Sequence, residues 1–585
     1  MEKQTTIAFV LIGVILMAWL YLTTPTTPPA KQKKQEIVKQ EQTPKVEEAK
    51  SETVKEISAQ NDSASLGSFF SSKILPEKTI VVENDEAIIE LSTKGGKITK
   101  YFLKKYNNWQ YNKDSKGKPY YEKNVQLLNY SKGSSFDLAF ITSEGKAVST
   151  ADLSFKPSLA SDINKISGKD SLTISFVYNT KNNGYIKKNF TLYGDRYDTR
   201  FTVEFSKLSS IITNGMYDVV WNSGLRFVEE NSVDEAAAAN ASVFSGGEQI
   251  IVDAPSGGEK IEKDFGGKID WLTIRNKYFA VIIAPENTDN VEGAYIKGNS
   301  HHWQNGGIRE HYSARLKMKM NNTGNSSESF LVYLGPVSYD LFKNYGKNFD
   351  KIIDFGGFIG LKIVVRPIAE YLMLPLFKFL HLFIPNYGFV IIVFSLIIKL
   401  VTYPLTKSSM HSMKKMQMLQ PKIAEIKEKL KDDPTKLNKE TMKLYSTYGI
   451  NPAGGCLPML LQMPIFIALW GLFQTAIELR QQPFMFWIHD LSKPDIIYNL
   501  GFKLPLFGID QISGLALLMG ITTFIQQKQT VKDPQQQAMV YVMPVMLTFL
   551  FMSFPSGLNL YYFLFNLFSI AQQYYVTNYG KQEIL

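Results

Sequence analysis

The chain has 585 residues, of which 45% are hydrophobic and 20% are charged, and its formal net charge is +10. Its single cysteine, Cys456, excludes an intramolecular disulfide framework. No aromatic-plus-basic pattern accompanies the positive charge, so recognition of nucleic acid is not expected. Long apolar runs lie near the N-terminus and after about residue 360, which predicts a membrane protein with a large soluble insert.

The first two segments predict an anchor and a tether. Residues 1–23 contain an apolar run longer than the core of a usual signal peptide, and no convincing cleavage site follows it. We therefore expect an uncleaved transmembrane anchor. Residues 24–64 are rich in Pro, Lys, Gln, Glu and Ser and almost lack aromatics, so they predict a flexible linker.

Residues 65–340 predict an antiparallel β-sandwich. Apolar and polar residues alternate over 172–178 and again over 201–205, which is typical of half-buried strands. The pairs at 95–96 and 183–184 are Gly-Gly and Asn-Gly, which favour hairpin turns because they tolerate positive φ.

No motif in this region indicates catalysis. It has no phosphate loop, no HExxH and no CxxC pair. His301, His302 and His311 lie close together in sequence without a clear partner ligand, so we interpret them as surface histidines. Cys456 has no identifiable partner histidine and is interpreted as a small apolar residue. The sequence predicts no enzyme, no cofactor and no metal site.

Residues 341–386 predict an amphipathic helical region that lies in the membrane interface. Charged residues repeat every four positions from Lys362 to Glu370 within an otherwise apolar stretch. Pro367 and Pro375 would kink or interrupt a helix that crossed the membrane here.

Five further apolar segments predict membrane-spanning helices at residues 387–406, 457–479, 512–530, 538–554 and 558–576. With the N-terminal anchor they make six spans. An even number of crossings places both chain termini on the same side of the membrane, which we expect to be the cytoplasm. Residues 24–386 would then be periplasmic.

Residues 407–452 predict a cytoplasmic helical hairpin. The segment is rich in Lys, as the positive-inside rule requires of a cytoplasmic loop, and two apolar stripes run along it at spacings of three and four. Asp433 is placed to cap the second helix, with Pro434 at its first position.

A polar face runs along the second span. Ser395, Lys399, Thr402 and Thr406 fall at i, i+4, i+7 and i+11 and share one side of the helix. A charge at that depth normally faces protein or water rather than lipid, which favours a functional role for Lys399. The alternative is that Lys399 extends along the helix to the nearby cytoplasmic surface.

Two other spans carry similar faces. The last span has a polar stripe made of Asn559, Tyr562, Asn566, Ser569 and Gln573, and the fourth span has one made of Thr523, Gln526 or Gln527, and Thr530. Such faces should converge, because lipid offers them no hydrogen-bond partner. They would either line a hydrated cavity or join the helices to each other.

Several segments resemble the YidC-type membrane protein insertases of the Gram-negative kind, which have a large periplasmic domain. They are YPLTKSSMHSMKKMQMLQPKI, NPAGGCLPMLLQMPIFIALW, PFMFWIHDLS, FPSGLNLYY, WLTIRNKYFAVIIAP and LGPVSYDLF. The resemblance implies an insertase and folding chaperone of the bacterial inner membrane, with a hydrophilic groove open to cytoplasm and lipid. It implies as partners nascent membrane proteins, membrane lipids and the Sec translocon, with a ribosome or signal recognition particle receptor at residues 407–452.

The resemblance also assigns roles to residues of the polar faces. The family's groove arginine falls on Lys399, which keeps the charge but lacks the planar fork of donors. Substrate-contacting positions fall on Ser395 and Tyr562. The groove predicted from the stripes and the resemblance together consists of Ser395, Lys399, Thr402, Gln526, Asn559, Tyr562 and Asn566.

Two other functions stay open at this point. A small-solute transporter with an exported β-domain would require an internal inverted repeat and broken helices, and neither is evident. A carbohydrate-binding β-sandwich that uses the spans only as an anchor would not require a polar groove.

Overall fold

The computed structural model describes residues 67–69, 75–111, 115–129, 135–159, 161–181, 183–255, 257–304, 306–321, 324–356, 362–430, 433–449, 457–504, 508–530 and 537–579. The predicted anchor (1–23), the predicted linker (24–64) and Cys456 lie outside the described residues. The chain divides into two compact units, Thr24–Ile352 and a second that includes Ile353–Leu585.

The first unit is built of strands. In chain order they are β1 Thr79–Glu83, β2 Ala87–Ser92, β3 Lys97–Asn107, β4 Asn124–Gln126, β5 Ser135–Thr142, β6 Ala147–Ser149, β7 Lys156–Pro157, β8 Ile163–Lys165, β9 Ser171–Asn179, β10 Tyr185–Tyr193, β11 Asp198–Ser206, β12 Ile212–Trp221, β13 Asn240–Ser245, β14 Glu248–Val252, β15 Lys260–Gly266, β16 Trp271–Arg275, β17 Phe279–Pro285, β18 Val291–His302, β19 Ile308–Lys319 and β20 Asn325–Pro336. Among the described residues of this unit, three short α-helices accompany the strands, α1 Tyr120–Lys123, α2 Ser232–Ala236 and α3 Tyr339–Asn344.

The strands form three sheets. Their orders are β4-β3-β2-β1-β8, β14-β13-β16-β17-β20-β11-β10-β9-β7 and β15-β18-β19-β12-β5-β6. Neighbouring strands pair antiparallel, as predicted, except that β8 pairs parallel with β1. The prediction of a β-rich domain is therefore confirmed.

Aromatic side chains join the six-stranded and nine-stranded sheets into one core. Phe136 of β5 lies 4.9 Å from the ring of Phe201 on β11 and 5.6 Å from that of Phe190 on β10. The Trp221 ring of β12 lies 5.2 Å from the Phe136 ring. The inward residues alternate with half-exposed ones along β10, as the period of two predicts.

A buried lysine ties this core to the turn that follows β2. Lys188 of β10 is completely buried, and its Nζ donates to the carbonyls of Gly95 and Phe136 at 2.7 and 2.8 Å. A third bond reaches the Thr150 hydroxyl at 2.8 Å. Burial lowers the pKa of Lys188 from 10.5 to about 7, because desolvation disfavours the charged form.

This shift makes the stability of the β-rich unit depend on pH. The folded pKa of Lys188 lies below the unfolded value, so above pH 7 the unfolded chain binds more protons and stability rises with pH. Between about pH 7 and 10.5 the free energy of unfolding should gain up to about 1.4 kcal/mol per pH unit from this group. Lys188→Met should remove that slope in urea unfolding followed by tryptophan fluorescence at pH 7.5 and 9.5. The exposed Lys165→Met is the matched control, and an equal slope in both variants would contradict the assignment.

The second unit is helical. Its elements are α4 Lys362–Pro367, a π-helical turn Ile368–Met373, α5 Leu374–Phe383, α6 Tyr387–Lys429, α7 Pro434–Thr447, α8 Leu457–Thr475, β21 Ile496–Asn499, β22 Gln511–Ser513, α9 Gly514–Thr530, α10 Gln537–Phe551 and α11 Ser556–Tyr579. The prediction of a helical C-terminal region is confirmed.

The helix α6 is longer than the predicted span. Its 43 residues run without a break from residue 387 into the predicted hairpin, past Pro404 and Pro421. The Asp433 side chain accepts a hydrogen bond from the Lys436 amide at 3.1 Å, which confirms the predicted cap of α7.

Among the described residues, one helical segment, Tyr387–Pro404, is long and apolar enough to cross a membrane. Val540–Phe551 is a shorter apolar helix. The six-span arrangement stays a prediction. In the predicted interfacial region, Pro367 ends α4 and the π-helical turn follows, while Arg366 donates to Glu370 at 3.1 Å. Ile363 is 85% exposed, so this region does carry an uncovered apolar side chain.

Candidate functional site

The polar faces of α6, α9 and α11 meet within the helical unit. α11 packs against both α6 and α9. Their polar residues recur every three or four positions, and this spacing keeps them on the sides that face each other. The contacts between the three helices define the candidate site.

Lys399 lies where α6 packs against α11. It is only 6% exposed, and its Nζ donates to the Ser569 hydroxyl at 2.7 Å. The same nitrogen lies 4.7 Å from the centre of the Phe565 ring, within the range of a cation–π interaction. Ser569 in turn donates to the Phe565 carbonyl at 2.7 Å. The ammonium therefore points at α11 rather than along α6 toward the surface.

The partners of Lys399 are neutral. Among the described residues, no aspartate or glutamate lies within ion-pair distance of its Nζ. A hydroxyl and an aromatic face stabilise the charge but do not cancel it. The site therefore keeps a net positive charge in a largely apolar surrounding, where a charge acts over a longer range than in water.

Amide side chains connect α11 to both neighbouring helices. Asn566 donates to the Thr523 hydroxyl of α9 at 2.8 Å. Gln572 donates to the Thr406 hydroxyl of α6 at 3.1 Å. These bonds join the three helices, as the alternative of polar contacts between spans predicts.

The predicted residues Ser395 and Thr402 bond to their own helix. The buried Ser395 hydroxyl donates to the Ile392 carbonyl at 2.8 Å, and Thr402 donates to the Ile398 carbonyl at 2.9 Å. Both hydroxyls are thus satisfied locally and remain able to accept a further hydrogen bond. Gln526 is half-buried on α9.

Tyr562 lies in an aromatic cluster on α11. Its ring lies 5.3 Å from Phe466, 5.4 Å from Phe551 and 5.1 Å from Tyr561. The Tyr562 hydroxyl is buried without a hydrogen-bond partner among the described residues. A buried hydroxyl of this kind is costly unless water or a ligand reaches it.

Asn559 lies away from the other predicted residues. It is completely buried, and its Nδ2 donates to the Phe551 carbonyl at the end of α10 at 3.1 Å. Asn559 and Ser569 are ten positions apart on α11, a separation of about 15 Å along the helix. The structure therefore does not bring Asn559 together with Lys399.

Sequence reasoning did not find all the contacts of Lys399. It placed Ser569 on the polar stripe but did not identify it as the lysine's partner. Phe565 was missed because an aromatic residue does not stand out in a pattern of polar residues. Gln572 was also missed, although the neighbouring Gln573 was on the stripe.

The buried carboxamides leave several acceptors unpaired. The side-chain oxygens of Gln527, Gln529, Gln572 and Gln573 have no hydrogen-bond partner among the described residues. All four belong to the last two turns of α9 or to α11 beyond Ser569. The side-chain oxygen of Asn559, near the start of α11, is unpaired as well. Buried acceptors of this kind are usually paired with protein or water, so each marks a position that an ordered water would satisfy.

A β-rich unit, together with a helical unit whose membrane-length helix holds a buried lysine, defines an integral membrane protein with a large soluble domain. The family described as YidC periplasmic domain matches residues 79–371, and the family described as 60Kd inner membrane protein matches residues 379–583. The chain belongs to the YidC family of membrane protein insertases. The resemblance found in the sequence is confirmed, and membership of the family implies an inner membrane protein.

Relatives match over nearly the whole chain. The membrane protein insertase YidC of Chloroherpeton thalassium is 37% identical over 100% of this chain and 97% of its own length. That of Chlorobaculum parvum is 35% identical over 99% of this chain and 94% of its own length. A crystal structure of an active YidC insertase with its first transmembrane domain resolved is 21% identical and covers 89% of this chain and 98% of that chain, with a TM-score of 0.34.

Proposed function

We propose that this chain inserts integral membrane proteins and helps them fold, and that the polar interior between α6, α9 and α11 receives their hydrophilic segments. Membership of the insertase family supports the activity. The role of the interior is carried by one observation, the buried ammonium of Lys399 with only neutral partners among the described residues. No covalent chemistry is required of the chain.

Because the hydrogen-bond partner of Lys399 is neutral, a charged group can replace it. The bond from the Lys399 ammonium to a neutral hydroxyl lacks the charge–charge attraction that a carboxylate would add, which is roughly 4 kcal/mol for unit charges about 4 Å apart at an effective dielectric constant near 20. A carboxylate on an incoming segment would therefore displace the Ser569 hydroxyl from the lysine. The segment attracted most strongly is an acidic tail that must cross the membrane.

The other groove residues would serve the passage of a polar segment. Ser395 and Thr402 offer hydroxyl oxygens beside Lys399, and Gln526 and Asn566 offer amides from the facing helices. The unpaired Tyr562 hydroxyl is free to donate to a passing backbone carbonyl. Entry of such a segment requires α11 to separate from α6, which breaks the Lys399–Ser569 and Gln572–Thr406 bonds.

The driving energy would come from the substrate and the membrane. Moving an apolar segment into lipid yields about 25 cal/mol per Å² of surface removed from water. The membrane potential acts on each translocated charge with about 2.3 kcal/mol per 100 mV. The positive charge of Lys399 lowers the energy barrier for an acidic tail to enter the membrane. The transfer of apolar surface and the membrane potential make insertion favourable.

The predicted topology and partners belong to the same proposal. Helices α6 and α7 form a hairpin in which the Lys422 ammonium lies 4.6 Å from the centre of the Tyr448 ring. With residues 407–452 in the cytoplasm, this hairpin is the surface on which a ribosome or a signal recognition particle receptor would dock. The Sec translocon is the further partner proposed in the membrane.

The test is insertion into proteoliposomes that contain only this chain. A small membrane protein with an acidic translocated tail should become protected from external protease in these vesicles and not in empty ones. Equal protection in both would contradict the function. Solute flux that depends on Lys399, without any protection, would favour the transporter instead.

A further inference from the structure

A hydrogen-bonded cluster around Asp495 lies outside the groove described above. Asp495 belongs to the loop between α8 and α9 and is only 4% exposed. Its Oδ2 accepts from the Trp487 indole at 2.8 Å and from the Leu515 amide at 2.7 Å. Its other carboxylate oxygen accepts from the Ser513 hydroxyl. Three donors, one each from the loop, β22 and α9, therefore converge on one carboxylate.

The cluster continues through Ser513 to α11. The Ser513 hydroxyl accepts from the Ala516 amide at 3.1 Å, in the first turn of α9. It also accepts from the Asn559 amide at 3.4 Å. Because Asn559 bonds to the last residue of α10, one chain of hydrogen bonds joins the loop, α9, α10 and α11.

A second set of bonds seats the start of α11 on the same loop. The buried Ser556 donates its hydroxyl to the Asp490 carbonyl at 2.9 Å and its amide to the Lys493 carbonyl at 2.8 Å. The Gly557 amide donates to the Leu491 carbonyl at 2.9 Å. A Cβ at Gly557 would lie 3.0 Å from the Phe473 ring and 3.1 Å from the Leu491 carbonyl, so a larger residue there would require these groups to shift.

These bonds lie at the end of α11 away from Lys399. Asn559 is ten positions before Ser569, or about 15 Å along the helix. The hairpin consists of the part of α6 after Thr406 together with α7. It therefore begins at the end of the helical bundle opposite to the Asp495 cluster. If that hairpin is cytoplasmic, the Asp495 cluster faces the periplasm.

We propose that Asp495 is a positioning residue that latches the periplasmic end of the groove, by holding α9, α10 and α11 together through Ser513 and Asn559. The proposal rests on the proposed function for the direction of the groove. A hydrated interior needs such a closure at one end, because otherwise ions would leak across the membrane during insertion. The latch works without opening, since the segments enter from the other end and leave sideways into lipid.

A carboxylate suits this position better than an amide. Its two oxygens only accept, and together they take the three donors around them. An Asn side chain would turn one NH₂ toward a donor, and an Ala would leave all three donors unpaired. Loss of a buried hydrogen bond shifts a closed–open equilibrium by about tenfold, so either change should loosen the closure.

The test replaces the hydrogen bonds with a bond that can be switched. In a Cys456→Ser background, the double variant Asp495→Cys/Ser513→Cys is reconstituted into liposomes loaded with chloride, and efflux is followed. Reduced vesicles should leak about tenfold faster than the parent, and oxidation should restore tightness. Insertion of the acidic-tailed substrate should persist in the oxidised form, because the latch stays closed throughout the cycle.

Further variants make every outcome decisive. Asp495→Asn should leak without any oxidant, whereas Tyr498→Phe, an exposed change in the same loop, should stay tight. Size-exclusion chromatography is used to check that each variant remains folded. Equal efflux from the parent and the reduced double variant, or leakage that oxidation does not change, would overturn the latch. Loss of insertion by the parent protein itself would instead count against the proposed function.

Discussion

Lys399→Glu is expected to abolish insertion of a substrate whose translocated tail is acidic. The change replaces attraction of the tail by repulsion, and unit charges about 4 Å apart interact by roughly 4 kcal/mol at an effective dielectric constant near 20. Lys399→Ala removes only the attraction, so we expect about 10- to 100-fold less insertion, in line with about 1.5–3 kcal/mol for a charged hydrogen bond. Lys399→Arg keeps the charge and should retain most of the activity.

The measurement is protease protection in proteoliposomes at matched protein content. Substrates with a neutral tail serve as the internal control, because they should depend much less on the charge of residue 399. Lys503→Glu, at an exposed lysine in the loop before α9, is the control variant and should leave protection of the acidic tail unchanged. Equal protection of the acidic tail by the parent and by Lys399→Glu would remove the electrostatic role of the lysine.

Phe136→Ala is expected to destabilise the β-rich unit by about 3–5 kcal/mol, the usual cost of truncating a buried phenylalanine. Phe136 is buried and contacts the rings of Phe201 and Trp221, so its removal leaves a cavity where two sheets meet. Phe136 and the rings that it contacts all belong to one of the two compact units of the chain. Insertion by the helical unit should therefore persist at temperatures at which the β-rich unit of the variant has unfolded.

Two measurements separate these effects. Urea unfolding gives the loss of stability, with the exposed Tyr121→Ala as a control that should change it by less than about 0.5 kcal/mol. The insertion assay is run on the same preparations. A loss of insertion in step with the unfolding of the β-rich unit would show that the helical unit does not act independently.

Local sequence patterns were sufficient to predict which segments form strands and which form helices. The alternation in β9 and β11 predicted strands, and the Asp433–Pro434 pair predicted the start of α7. The parallel pairing of β8 with β1 could not be predicted, because β8 has only three residues and shows no periodicity. The continuity of α6 was also missed, because the apolar run ends near Thr406 while the helix continues into the Lys-rich segment that follows.

The candidate site was predictable as a set of faces but not as a set of contacts. Spacing shows that Lys399 and Ser569 lie on polar sides of their helices. It does not fix the offset of the two helices along their axes, so the hydrogen bond between Lys399 and Ser569 could not be predicted. The same limit explains Asn559, whose stripe position is correct but whose contacts are at the far end of α11.

Photo-crosslinking to a stalled nascent membrane protein tests the central claim most directly. A photoreactive residue at Ser395, Thr402 or Tyr562 should give adducts with the hydrophilic segment of the nascent chain. The same residue at Leu400, which is exposed on another side of α6, should not capture that segment. Adducts of the hydrophilic segment at Leu400, with none at the three interior positions, would show that the substrate does not use the interior that holds Lys399.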